Sequence, residues 1–217
     1  MKTYYRRKLP HWIPPNAIFF ITFRLANSLP PAIIQQLEWD RERERQAALK
    51  QFSGKQQREV LYNLDKKYFG HFDVWLDRCL AESPRWLANE RIAGIVKEHI
   101  HGLDGERYDL IAYCIMPNHV HLLIDIQGYA VEPIHKGRTA VYPLTDTLKL
   151  LKGRTARFCN QALGRSGKFW QHESYDHVVR NPQEYQKIVA YILNNPVNAR
   201  LVDHWKDWPY TYIVDRN

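Results

Sequence analysis

Met116-Pro117-Asn118-His119-Val120-His121-Leu122-Leu123-Ile124 reads as a β-strand entered from a tight turn. Side chains alternate faces along a strand, so His119 and His121 point the same way. Val120, Leu122, Ile124 and Ile126 point the other way, into a core. Two imidazoles side by side on an aliphatic strand suggest two ligands of one metal ion. The pair alone leaves a second reading open, two partly exposed strand histidines, because His-X-His is short and common by chance.

The stretches around this strand complete a sheet. Tyr108–Ile115 (YDLIAYCI) precedes it after the Asp104-Gly105 turn, so strands 108–115 and 119–126 make a hairpin. Ala17–Leu25 (AIFFITFRL) is aromatic and β-branched, a first strand at 17–25. Phe169–Val179 alternates enough for a polar strand at 170–179. Between these lie helices. Residues 32–51 hold many Gln, Glu, Arg and Ala. Residues 55–80 are expected to be helical in pieces, broken near Gly70. Ile92, Ile95, Val96, His99, Ile100 and Leu103 follow helical spacing. Leu144, Leu148, Leu151, Thr155 and Phe158 form another such stripe, flanked by Lys149, Lys152, Arg154 and Arg157. Residues 127–143 show no clean period and read as a loop.

Asn181, Pro182 and Glu184 mark a helix start: an N-cap, a proline at the first position and the glutamate of a capping box. Tyr185, Ile188, Val189 and Ile192 are the expected buried stripe, and Pro196 the expected stop. Tyr191 and Asn195 are four residues apart, on one side of the helix at the margin of that stripe. Asn195 precedes a proline, which disfavours helical geometry there.

The chain has 217 residues, 45% apolar and 13% aromatic, enough for one globular domain with an insertion. The predicted organisation is a single domain over 1–217 with a helical insertion at about 31–104. No apolar run approaches the ~18 residues of a membrane helix. The N-terminus has no hydrophobic signal region, so a cytoplasmic protein, nucleoid-associated when on DNA, is expected. Three scattered cysteines fit neither a disulfide framework nor a zinc knuckle. The net charge is +8, a field suited to nucleic acid. Residues 1–24 hold five basic residues and no acid, and residues 144–200 hold nine against four. Arg6, Arg7 and Lys8 follow two tyrosines, a mixture that suits stacking on bases and contact with phosphates, or a solvated tail. Lys149, Lys152, Arg154 and Arg157 are the second candidate DNA-binding group.

Two strand histidines, a helix presenting a tyrosine and an amide, and a basic surface are parts of a phosphoryl-transfer site. A divalent ion held by His119, His121 and a third oxygen would polarise phosphoryl oxygens. A tyrosine hydroxyl beside it could serve as nucleophile.

These residues resemble a known family, the HUH-type single-tyrosine transposases, and most closely their REP-associated branch. The matching pieces are YDLIAYCIMPNHVHLLI (108–124), FWQHESYDHVVR (169–180) and YILNNPVNARLV (191–202). The opening LPHWIPPNAIFFITFRLANSLP also resembles one subgroup, and the match is weakest over 32–83 and 127–143. The resemblance implies an α+β, ferredoxin-like fold, a mainly antiparallel sheet of four to five strands with helices packed on one face. It implies His119 and His121 as metal ligands, Tyr191 as nucleophile and Asn195 as the residue completing the metal site, with Mg²⁺ or Mn²⁺ bound. It implies cleavage and rejoining of single-stranded DNA beside hairpins through a 5′-phosphotyrosine. Tyr185 sits in the buried stripe and Tyr175 on a strand, and neither has a helical oxygen ligand one turn on. The alternative is a catalytically silent module that binds hairpin DNA or RNA. A monomer and a homodimer exchanging the tyrosine helix both remain open.

Overall fold

The computed structural model describes residues 17–129 and 143–215, and the backbone alone at 4–6 and 10–12. There, β1 (Tyr4–Arg6) pairs antiparallel with β2 (Pro10–Trp12). The chain divides into two compact units: residues 27–84, and residues 1–26 together with 85–217.

The second of these units is built on one sheet. β3 (Ile18–Arg24), β4 (Asp109–Ile115), β5 (His119–Asp125), β6 (Tyr175–Val178) and β7 (Thr211–Ile213) are joined in the order β6-β3-β5-β4-β7. All four pairings are antiparallel. With α3 (Glu90–His101) between β3 and β4, and α4 (Pro143–Ala162) between β5 and β6, the four strands β6-β3-β5-β4 have the ferredoxin-like order. The expected α+β fold is therefore present, with β7 added as a fifth strand that the short run Thr211–Ile213 did not announce.

Alternation along the strands sorts their residues between two faces. Phe19, Ile21, Phe23, Val120, Leu122 and Ile124 join one buried cluster. Ile92, Val96 and Ile100 of α3 and Leu144, Leu151 and Cys159 of α4 close that cluster from above. β4 joins it by a bulge: the register slips between Leu110 and Ala112, so Leu110, Tyr113 and Ile115 all face this core despite uneven spacing. The opposite face carries Phe20, Thr22, His119, His121 and Leu123. α5 (Pro182–Asn198) packs there, against β4, β5 and β7. Helices on one face only was the expectation. Both faces are apolar enough to need cover, and the sheet has helices on both.

Three local expectations in this unit are corrected. The strand expected over 170–179 shrinks to β6. Trp170 makes one isolated bridge to Leu25, and the carbonyls of Gln171 and His172 accept from Lys152 instead of joining the ladder. Pro196 does not stop α5, which continues to Asn198 with Pro196 and Asn195 both buried. One lost backbone bond near a helix end is offset by burial of the proline ring. Phe158 is exposed, and Cys159 takes its place in the α4 stripe. The capping box does form: Asn181 Oδ1 accepts from the Glu184 amide at 2.8 Å, and Glu184 Oε2 from the Arg180 amide at 2.9 Å.

The other unit, residues 27–84, is a helical hairpin of α1 (Pro31–Gln51) and α2 (Gly54–Arg78). Leu29, Leu76 and Cys79 form its small buried cluster. Arg41 pairs with Asp65 at 2.6 Å and Lys67 with Glu44 at 2.8 Å across the hairpin. α2 runs unbroken through Gly70, where a break was expected. A single exposed helical glycine costs about 1 kcal/mol against alanine, too little to end a 25-residue helix. An added Cβ at Gly70 meets nothing within 4 Å. Gly70→Ala should therefore raise unfolding stability by up to about 1 kcal/mol, read as a higher urea midpoint at unchanged slope.

Candidate metal and nucleophile site

The β4–β5 turn sets the first site residue. The Met116 amide donates to the His119 carbonyl at 2.8 Å, and the Asn118 carbonyl accepts from the Leu25 amide at 2.8 Å. This ties the turn to β3 and starts β5 with His119 fully buried. Register then places His121 beside Thr22 and His119 beside Arg24, so all four share one face.

Each imidazole is held at its outer nitrogen. His119 Nδ1 lies 2.6 Å from Asn118 Oδ1, and His121 Nδ1 lies 2.8 Å from Thr22 Oγ1. A side-chain carbonyl oxygen only accepts, so His119 carries its proton on Nδ1 and turns a bare Nε2 inward. The Thr22 hydroxyl can donate or accept, so His121 can present either form of Nε2. The two Nε2 atoms are 3.0 Å apart. Adjacent ligands of an octahedral ion at about 2.1 Å stand at that separation. With Nδ1–H of both rings donating outward, both Nε2 atoms would be able to ligate one cation, the usual arrangement of metal-binding histidines. The residues present thus fit a divalent ion.

Burial also fixes the charge state. With no water to solvate an imidazolium, His119 is pushed down to about 3. Burial, and then the neighbouring His119, hold His121 well below the ordinary histidine range. Both rings stay neutral and able to ligate at neutral pH.

Tyr191 reaches this face from α5. Its ring centroid is 5.4 Å from that of His121 and 6.0 Å from that of Phe20. Phe20 also stacks on His121 at 5.7 Å, so one phenylalanine touches both rings. One turn further along α5, Asn195 is buried, and its Oδ1 has no hydrogen-bond partner among the described residues. A buried amide oxygen without a partner is costly unless something fills its coordination.

Tyr185 is half-buried earlier on α5. Tyr175 does share the histidine face, 6.4 Å from Phe20. His177 Nε2 lies 3.1 Å from Glu184 Oε1, a structural contact between β6 and the α5 start. Trp170 is core: its Nε1–H donates to Thr155 Oγ1 at 2.9 Å. On α4, Lys149, Arg154 and Arg157 are exposed, whereas the Lys152 ammonium donates to Gln171, His172 and Ser174. Arg7 and Lys8 lie outside the described residues, and of Arg6 only the backbone is described. Sequence reasoning missed Thr22, Asn118 and Phe20. Thr22 carried a signal, as the lone hydroxyl of a mostly apolar strand, but its partner lies 99 positions away.

The site is a buried bis-imidazole face on a ferredoxin-like sheet, with a tyrosine-bearing helix packed on it. No family model matches the chain. A Haemophilus influenzae protein described as a REP-associated tyrosine transposase is 30% identical over 108 residues, covering 48% of this chain and 58% of that relative. A second protein of that organism, without an assigned function, is 32% identical over 95 residues, covering 39% of this chain and 52% of its own length. The chain thus spans little more than half the length of these curated relatives. The solved structure of a REP-associated tyrosine transposase bound to a REP hairpin superposes with a TM-score of 0.50 at 16% identity, covering 95% of this chain and 80% of that one. That likeness shows the shared fold. The chain is thus similar over part of its length to a protein described as a REP-associated tyrosine transposase, and shares its fold with the solved one.

Two outcomes follow. His119 and His121 have folded-state proton affinities below their unfolded ones. Their stabilising effect is complete above about pH 6.5 and is lost as the pH falls toward the folded values. The urea midpoint should fall from about pH 6.5 to 5, above the main carboxylate range, and a His119→Gln, His121→Gln double variant should fall less steeply. Thr22→Val should weaken Mn²⁺ binding roughly 10- to 100-fold by titration calorimetry while leaving the far-ultraviolet dichroism unchanged.

Proposed function

We propose that this protein is a metal-dependent single-strand DNA transposase that cleaves and rejoins DNA beside hairpins. The observation that carries the reading is the Tyr191 ring lying 5.4 Å from the ring of a histidine whose Nε2 faces that of its neighbour. The solved relative bound to a REP hairpin supports the hairpin as the partner.

His119 and His121 would hold Mg²⁺ or Mn²⁺ through Nε2, with Asn195 Oδ1 as the third protein ligand. The ion, when bound, supplies Lewis-acid polarisation of a phosphoryl oxygen. Tyr191 is the nucleophile. Its Oη bonds to phosphorus as the bond from phosphorus to the 3′-oxygen breaks, and the 3′-oxygen takes up the proton that the phenol gives up. The products are a 5′-phosphotyrosine and a free 3′-OH. Exchanging one ester for another conserves the bond, so a second 3′-OH can reverse the step and join strands without an energy cofactor. Phe20 limits where the phenol ring can turn. Tyr191 packs on His121 of its own chain, which supports a site completed within one subunit. Among the described residues no helix is long and apolar enough to cross a membrane. Action on DNA in the cytoplasm is part of the same proposal.

A hairpin carrying a labelled 5′ single strand should form a covalent adduct with the protein in Mn²⁺. Tyr191→Phe should abolish it, and His119→Ala or His121→Ala should lower cleavage by at least about a hundredfold with hairpin affinity retained. Full adduct formation by Tyr191→Phe would overturn the nucleophile assignment. Salt-sensitive binding with no adduct at all would leave the silent hairpin-binding module.

A further inference from the structure

The two carboxylate oxygens of Glu184 have different partners. Oε2 accepts from the Arg180 amide at 2.9 Å and closes the capping box of α5. Oε1 lies 3.1 Å from His177 Nε2 on β6. A carboxylate only accepts, so His177 carries its proton on Nε2 and donates it. A capping box is complete without that second bond. Both side chains are nevertheless buried, 9% and 8% exposed. Keeping a polar pair out of water costs desolvation, and an apolar pair of similar volume would fasten the helix as well. What the polar pair adds is direction. A hydrogen bond holds at one distance and angle, whereas aliphatic contacts tolerate rotation.

That direction runs along one line of α5. Tyr191 and Asn195 follow Glu184 by seven and eleven residues. At about 100° per residue, both fall within about 20° of Glu184 around the helix axis, with Tyr191 about 10 Å along it. The sheet repeats the alignment. β6 places His177 directly opposite Phe20 of β3. The Phe20 ring meets Tyr191 at 6.0 Å and His121 at 5.7 Å. The residue that holds the first turn of α5 and the residue that touches the phenol are therefore register partners on one sheet face. Among the other buried side chains of α5, Val189, Ile192 and Pro196 are apolar and set no angle of their own. Turning α5 by one residue step, about 100°, would break the Glu184 contact and carry Tyr191 off Phe20.

We propose that His177 is a positioning residue: through Glu184 it fixes the rotation of α5 on the sheet, and with it the place of the Tyr191 phenol beside His121. This inference rests on Tyr191 as the nucleophile and adds what aims it. Correct placement supplies much of the rate of such a displacement, and an error of about 1 Å costs on the order of a hundredfold.

The main test variant combines His177→Leu with Glu184→Gln. Glutamine keeps the capping box, leucine keeps most of the buried volume, and no buried charge is left without a partner. Its urea midpoint should stay near that of the unsubstituted protein. At saturating Mn²⁺, single-turnover adduct formation on the labelled hairpin should slow about 10- to 100-fold, while hairpin affinity without metal changes by less than about twofold. His177→Asn, whose amide is too short to reach Oε1, should show the same loss, and it replaces the double variant if that one does not fold. His177→Gln, which restores an N–H donor near the place of Nε2, should keep the rate within about threefold. Placement is read apart from chemistry by nuclear magnetic resonance. The His121 ring protons carry the ring current of Tyr191, whose ring centroid is 5.4 Å away. Their shifts should move toward those of Tyr191→Leu in the double variant and stay in place in His177→Gln. Unmoved His121 shifts in the double variant overturn the proposal, whatever the rate does. So do moved shifts with an undiminished rate, and so does a loss of rate that only tracks a loss of folded protein. Moved shifts with no adduct from any form, the unsubstituted protein included, keep the placement and remove the nucleophile reading.

Discussion

Two neutral imidazoles side by side in a buried sheet face need their outer nitrogens satisfied, and this constraint organises the site. Thr22 and Asn118 meet it. Everything else on this face follows from the strand that carries them. β5 sends Val120, Leu122 and Ile124 into the core under α3 and α4 and His119 and His121 to the other side. One strand therefore anchors the hydrophobic core and presents the polar centre at once. A one-residue register slip would bury the imidazoles among aliphatic side chains and turn the aliphatics toward α5.

The same economy of position governs α5. Its start is set by the Asn181–Glu184 capping box, and Glu184 also meets His177 of β6. Its middle carries Val189 and Ile192 into the packing, with Tyr191 turned between them toward His121. The cap thus sets the phase of the helix, and the phase sets where the phenol and the Asn195 amide fall. Phe20 touches both Tyr191 and His121, so the aromatic packing of β3 couples the helix to the imidazoles.

Charge is distributed to match. The imidazoles are kept neutral by burial, with Arg24 on their face, while exposed cations lie on the shoulders of α4. Lys152 is the exception. Its ammonium is spent on two backbone carbonyls and a hydroxyl, which converts a stretch that alternates like a strand into a fixed wall.

The period-2 pattern of 17–25, 108–115 and 119–126 and the capped helix at 181–184 were legible in the residues, because alternation and capping are local. So was the pairing of His119 with His121, which is adjacency along one strand. The sequence also carried the likeness to the transposase family, through motifs at 108–124, 169–180 and 191–202. Other features depended on distant partners. The truncation of the last polar strand needed Lys152, nineteen residues or more away. The bulge in β4, the continuation of α5 through Pro196 and the cover on both sheet faces needed the packed neighbours. The approach of Tyr191 to His121, and the choice of Thr22 and Asn118 as holders of the imidazoles, were decided only by the tertiary structure. Local patterning says which way a side chain points from its own element, whereas register and helix docking decide what it meets.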